Sequence, residues 1–290
     1  MANTKKLRAA LVQLRATRSV VTNVDQAAKL IREAKAAGAE YVQTPEQTSL
    51  MELDRKSLFA NIVEENHDPA LAAFQELARE LAIHLHIGSL SVKVSPDKAA
   101  NRAFLIGTDG EIMARYDKIH LFDVDLPGKE SYRESNTFRP GETAIVVGMP
   151  WGGLGLSICY DVRFPQLYRA LAEAGADFLT VPAAFTKQTG EAHWHVLMRA
   201  RAIENGAFVL AAAQGGKHEN GRETYGHSLI IDPWGKVIAE GGIEPSVILA
   251  ELDPALVTQA RSRIPSLEHG RRFEVISPAS DVARLHMVGR

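Results

Sequence analysis

Residues 34–46 read AKAAGAEYVQTPE and residues 171–183 read LAEAGADFLTVPA, so one local grammar occurs twice in the chain. Each copy runs from a helix end through a glycine (Gly38, Gly175) and an alanine–acid pair into a short β-prone run that a proline stops (Pro45, Pro182). Glycine supplies the left-handed residue that closes a helix, and proline cannot donate to a sheet ladder, so each copy spells helix, cap, strand, stop. Two such units imply two related α/β halves whose strands end on the same side of the molecule. In open α/β sheets the working residues gather at the carboxyl ends of strands. Glu46 and the residues after Pro182 are therefore candidates together.

The remaining pattern agrees with a layered α/β protein, in which short β-rich runs alternate with helices. Residues 7–14 read as a buried strand. Residues 23–37 read as a helix with Ala27, Leu30, Ile31 and Ala34 on one face, and 41–44 as the next strand. Asp68 before Pro69 is an N-cap signal for a helix over 68–82. Asp109-Gly110 turns a hairpin between 101–106 and 111–116, and a second hairpin centres on Pro233-Trp234-Gly235. No Ser/Gly/Pro-rich linker interrupts residues 1–290, which reads as one domain.

Composition narrows the function. Lys and Arg number 33 against 35 Asp and Glu, a net charge of −2 with no basic cluster, which argues against nucleic acid as the partner. The longest apolar run, 207–213, has strand length and falls far short of the ~20 residues of a membrane span. The N-terminus lacks the apolar region of a signal peptide, so a cytoplasmic location is expected. A single cysteine excludes an internal disulfide and any multi-cysteine metal site. The histidines show no metal-ligand spacing. His84 and His86 share a strand face, where packing is commoner than ligation. His193 and His195 lie on different faces of a helix, and His120 and His227 are left open by the pattern. No metal is expected.

The lone cysteine, Cys159, follows the apolar run 154–158 and precedes Asp161, Arg163 and a helix opening at Pro165. That puts the thiol on a strand-to-helix turn, where a nucleophile faces a pocket and a helix N-terminus is expected to lower its pKa. A buried structural cysteine is the competing reading. Glu46 at a strand end and Lys118 after a hairpin strand are individually unremarkable, because most Glu and Lys are solvated.

Together these segments resemble the nitrilase, or carbon–nitrogen hydrolase, superfamily. Thr44-Pro45-Glu46, the run Tyr116 to Asp123 (YDKIHLFD) and Ser157 to Pro165 (SICYDVRFP) occur in the family's order. So do Arg133-Glu134-Ser135, Gly190 to Trp194, Arg199 to Asn205, and Gly226-His227-Ser228 through Gly235, and the likeness covers about residues 7–275. The resemblance implies a four-layer α-β-β-α sandwich and a Glu46–Lys118–Cys159 triad that needs no cofactor. It also implies a homodimer or higher even oligomer that pairs through a helix and the C-terminal tail, here 271–290. By the same resemblance Cys159 is the nucleophile and Glu46 the general base. Lys118 and the backbone N–H of Tyr160 stabilise the oxyanion, and Glu134 orients the lysine.

Substrate choice is read from the surroundings of the triad. Arg163, four residues past the nucleophile, suits bidentate capture of a carboxylate, its alternative being a salt bridge with an acid such as Asp161. Phe185 and Thr189 match pocket positions of the branch that handles ω-amido acids, and His120 is a further candidate at the substrate. Residues 193–204 and 211–228 resemble the deaminated glutathione amidases most, with an ω-amidase acting on α-ketoglutaramate as the alternative. Another aliphatic amidase, N-carbamoyl amidase or nitrilase of the superfamily, and a catalytically inactive scaffold, complete the alternatives.

Overall fold

The structure is a computed structural model that describes residues 6–126 and 131–275. The first half runs β1 (Leu7–Gln13), α1 (Val20–Ala36), β2 (Tyr41–Gln43), α2 (Arg55–Asn61), α3 (Pro69–Leu81), β3 (His84–Lys93), β4 (Ala99–Ile106) and β5 (Ile112–Asp117). A small hairpin, β6 (Asp123–Asp125) and β7 (Ser131–Arg133), leads to the second half. There β8 (Val146–Met149), β9 (Gly152–Gly155), α4 (Pro165–Glu173), β10 (Ala176–Thr180), α5 (Lys187–Asn205) and β11 (Phe208–Ala211) follow in turn. The ribbon β12 (Gly215–Lys217) and β13 (Glu223–Tyr225) precedes β14 (Leu229–Ile231), β15 (Val237–Glu240), β16 (Ser246–Leu252) and α6 (Ala255–Arg263).

Two six-stranded sheets form, in the orders β16-β1-β2-β3-β4-β5 and β15-β14-β11-β10-β9-β8. Each has three central parallel strands, β1-β2-β3 in one and β9-β10-β11 in the other, flanked by antiparallel strands. The repeated grammar of the sequence thus appears as repeated topology, with β2 and β10 at the centres of their sheets. Gly38 and Gly175 take the expected left-handed conformation, at φ 91° and 95°.

Strand alternation builds the layers. Along β1, Leu7, Ala9 and Leu11 face the second sheet, while Ala10 and Val12 face α1 and α3 with Ile31 and Phe74. Helices α4 and α5 cover the outer face of the second sheet through Leu171, Trp194 and Met198. The order is helix, sheet, sheet, helix. Burial of aromatic side chains such as Tyr41, Trp194 and Phe208 contributes roughly 1.5–3 kcal/mol each.

The capping expectations hold in detail. Asp68 accepts from the N–H groups of Ala70 and Leu71, with Pro69 as the first helical residue. Helix α1 starts three residues earlier than its apolar face indicates, because Ser19 caps it and accepts from Thr22 N–H. The strand before Cys159 ends early, at Gly155, so Leu156, Ser157 and Ile158 carry the chain to Cys159 without ladder pairing in the β9 register.

Candidate active site

The two sheets meet at Gly88 on β3. A Cβ there would stand 2.1 Å from the Thr44 carbonyl oxygen and 2.5 Å from Pro182 Cβ, so only glycine lets the two proline-stopped strand ends converge. Their following residues then share one wall. Glu46 projects from the first half, and the Ala184 N–H from the second donates to its Oε2 at 2.8 Å.

Lys118, just beyond β5, lies between two carboxylates. Its Nζ donates to Glu46 Oε1 at 2.8 Å and to Glu134 Oε2 at 2.9 Å, and the lysine side chain is only 2% exposed. Asn101 Nδ2 donates to Glu46 Oε1 at 2.9 Å and to Glu134 Oε1 at 3.1 Å, and Phe122 N–H donates to Glu134 Oε2 at 2.6 Å, the oxygen that also accepts from Lys118. Glu46, Lys118 and Glu134 are thereby joined in one hydrogen-bonded network.

Cys159 sits at φ +49°, a left-handed conformation rare for a side chain larger than glycine, which turns its sulfur out of the chain path. The buried Asp161 side chain secures this turn. It accepts from Ile158 N–H, Tyr116 hydroxyl and His120 N–H at 2.9, 2.6 and 3.0 Å. The Cys159 N–H donates to Pro182 O at 2.9 Å, tying the nucleophile turn to the same proline. The thiol shares one cavity wall with Glu46 and Lys118, and both act on its ionisation.

Electrostatics corrects one expectation. Burial and the Glu46 carboxylate push the Cys159 thiol pKa well up, against the Lys118 charge, so no depressed thiolate forms at this turn. Burial also opposes ionisation of Glu46, but the Lys118 ammonium outweighs it and the carboxyl pKa lies below its ordinary value. Burial likewise disfavours a charged Lys118, yet Glu134 and Glu46 hold its pKa well above normal. At neutral pH Cys159 is therefore a neutral thiol, Glu46 a carboxylate and Lys118 an ammonium. An ionised carboxylate on the same cavity wall as a neutral thiol is a base placed to receive its proton.

The cavity above this network encloses about 250 Å³ and is lined by Glu46, Lys118, Glu134, Cys159 and Tyr160, with Phe185 and Thr189 on another wall. Two expected substrate residues lie elsewhere. His120 does not line the cavity: its Nδ1 faces Asp161 at 2.7 Å and its ring stacks on Phe164 at 3.5 Å, so it braces the nucleophile turn. Arg163 stands at the margin, its guanidinium 5.3 Å from the Phe185 ring centre and 5.9 Å from that of Tyr160, with Nη2 3.2 Å from His193 Nδ1. Its alternative salt bridge to Asp161 is not among the ion pairs of the described residues, because Asp161 is committed to Tyr116, His120 and Ile158.

Sequence reasoning missed Asn101, Tyr132 and Arg222. A polar side chain inside the buried strand β4 is the signal that could have found Asn101. Tyr132 and Arg222 come from loops and ribbons whose approach to Cys159 no local pattern encodes. Away from the cavity, His195 Nε2 and His227 Nδ1 lie 3.0 and 2.8 Å from the same Glu240 Oε1, a group of ligand type whose polar atoms are already satisfied by one another.

A four-layer sandwich with a buried carboxylate–lysine–thiol set defines a cysteine amidohydrolase of the carbon–nitrogen hydrolase class. The chain belongs to the carbon–nitrogen hydrolase family, whose profile matches residues 8–262. It is 39% identical over 277 residues to a deaminated glutathione amidase of Yersinia enterocolitica, covering 94% of this chain and 96% of that one. It is 34% identical over 264 residues to the omega-amidase NIT2 of Mus musculus, covering 91% and 95%. The crystal structure of the C. elegans NitFhit protein superposes with a TM-score of 0.86 at 37% identity, over 92% of this chain and 66% of that one. The protein is a hydrolase acting on amide C–N bonds.

Proposed function

We propose that the protein hydrolyses deaminated glutathione, the α-ketoglutaryl amide of a Cys-Gly dipeptide, through a thioester on Cys159. The observation that carries the mechanism is the convergence of Glu46, Lys118 and Cys159 on one cavity, with the Glu46 carboxylate fixed by Lys118 and by the Ala184 N–H. As sulfur attacks the amide carbon, its proton passes to Glu46, and the carbonyl oxygen takes up the charge. The Lys118 ammonium and the Tyr160 N–H receive that oxyanion, a donor of this kind being worth about 3 kcal/mol. Glu46 then gives its proton to the amide nitrogen as the C–N bond breaks and the amine leaves. Water enters, Glu46 takes its proton, the hydroxide adds to the thioester and the C–S bond breaks. The acid departs and the proton returns to sulfur.

Glu134 is the positioning residue, since its bidentate hold keeps Lys118 aimed at the cavity after Glu46 is protonated. Phe185 and Thr189 shape the wall against the acyl chain. Arg163, at the cavity margin on the Phe185 and Tyr160 rings, provides the first cation for a carboxylated substrate. The relatives named deaminated glutathione amidase support this substrate, and NIT2 supports ω-amidase activity on α-ketoglutaramate as the second reading.

We further propose a homodimer that works in the cytoplasm. Val196 and Ile203 lie seven residues apart on one face of α5 and are 69% and 52% exposed. Gly235 abuts Ile203, and its chain neighbour Trp234 is also exposed, which adds a third apolar side chain to this part of the surface. The expected tail contact falls largely outside the described residues, and no described helix is long and apolar enough to cross a membrane.

A panel of deaminated glutathione, α-ketoglutaramate, a neutral aliphatic amide, an N-carbamoyl amine and a nitrile tests the substrate. Deaminated glutathione should give the highest kcat/KM by at least tenfold over the neutral amide. Preference for the nitrile or the neutral amide would overturn the reading.

A further inference from the structure

Three cations line the cavity, and two are already matched. Lys118 is held by Glu46 and Glu134, and Arg133 is held by both oxygens of Asp125 at 2.8 Å. Arg222, between β12 and β13, has no ion pair among the described residues. Its guanidinium lies 5.4 Å from the Tyr132 ring centre, Nη2 donates to the Ala184 carbonyl at 2.5 Å, and Nη1 approaches Met51 Sδ at 4.0 Å. Its Nε is buried and has no hydrogen-bond partner. A buried donor of a charged group without an acceptor costs free energy that a ligand oxygen would recover. The planar fork is oriented by the ring and the carbonyl before any ligand arrives, which is the arrangement that favours carboxylate capture.

We propose that Arg222, in the cavity lining, is a second carboxylate-binding residue beside Arg163 at the cavity margin, so that the site grips a substrate carrying a carboxylate at each end. This rests on the substrate reading above and sharpens it. Deaminated glutathione has one carboxylate on its α-keto-acyl part and one on the glycine of the departing dipeptide. One arginine cannot hold both ends of such a molecule. The Arg163 and Arg222 guanidiniums stand on different rings of the wall, Phe185 with Tyr160 for the first and Tyr132 for the second. α-Ketoglutaramate has a single carboxylate and leaves one of the two arginines unmatched, so the pair of Arg222 in the lining and Arg163 at the margin selects the larger substrate.

The test compares three substrates: deaminated glutathione, its glycinamide analogue, and a 4-oxopentanoyl-Cys-Gly analogue that keeps the ketone and lacks the acyl carboxylate. Each is assayed with wild type, Arg222→Met and Arg222→Lys. In the wild type, loss of either carboxylate should lower kcat/KM at least tenfold. Arg222→Met should abolish the penalty for one carboxylate and leave the other, which identifies the end that Arg222 holds. Arg222→Lys should retain part of it. Equal losses on all three substrates in Arg222→Met would make the residue a brace for the Ala184 loop and overturn the proposal. If the wild type hydrolyses none of the three, the substrate reading fails by itself. Arg222 is then judged by calorimetric titration of glutarate into Cys159→Ala and Cys159→Ala/Arg222→Met. A loss of glutarate affinity of tenfold or more in the double variant upholds the carboxylate site, and unchanged affinity overturns it.

Discussion

At Cys159, burial and the Glu46 carboxylate act in the same direction, because each disfavours a second negative charge in a closed space. Position on a strand-to-helix turn was legible in the sequence, but the sign of the thiol shift was not, since burial and a neighbouring carboxylate come from remote segments. The same division holds for the rest of the network. Glu46 and Lys118 were readable from their motifs, Asn101 only as a polar anomaly, and Arg222 not at all. The mechanism predicts that Glu46→Gln and Lys118→Ala each lower kcat/KM at least a thousandfold in proteins with wild-type circular dichroism. Activity within tenfold of wild type for either folded variant would exclude its role. A second residue-scale effect lies at His86, whose pKa burial lowers from 6.5 to about 3. Below the unfolded value the unfolded chain takes a proton that the folded one refuses, so stability falls as pH drops through that window. The slope is up to about 1.4 kcal/mol per pH unit. His86 Nδ1 faces only the Tyr41 hydroxyl, so His86→Leu should flatten the decline in urea midpoint between pH 6.5 and 4.5.

At the scale of elements, hairpins and caps were the most legible features because their chemistry is local. Asp68, Asp109-Gly110 and the turn before Lys236 all fold as their residue types dictate, with Asp232 Oδ1 accepting from Trp234 and Lys236 N–H. The repeated helix–glycine–strand–proline unit was legible as a repeat, and the pairing of its two copies was not. That pairing depends on Gly88, a residue with no distinguishing neighbours in the sequence. Gly88→Ala forces a methyl group against the Thr44 carbonyl and Pro182, backbone and ring atoms with little room to yield. The cost should reach about 3 kcal/mol, the upper range for overpacking, and Glu46 should be displaced with it. Denaturant unfolding and a parallel assay check this: a variant with wild-type midpoint and activity would mean that the strand ends do not need their close approach.

For the whole molecule, two halves of matching topology place one catalytic carboxylate and one thiol at a shared seam, so neither half holds a complete set. The apolar face carried by α5 and Trp234 lies away from the cavity lining. A Val196→Asp/Ile203→Asp variant should convert a dimer to monomer in light scattering at micromolar concentration, whereas a monomeric wild type would refute the assembly. The thioester on Cys159 is the intermediate through which every turnover must pass. Protein quenched in acid during turnover of deaminated glutathione should carry the mass of the α-ketoglutaryl group on the peptide containing Cys159, and Cys159→Ala should carry none and release no product. Product formation at the wild-type rate by folded Cys159→Ala, or an adduct on another residue, would contradict it.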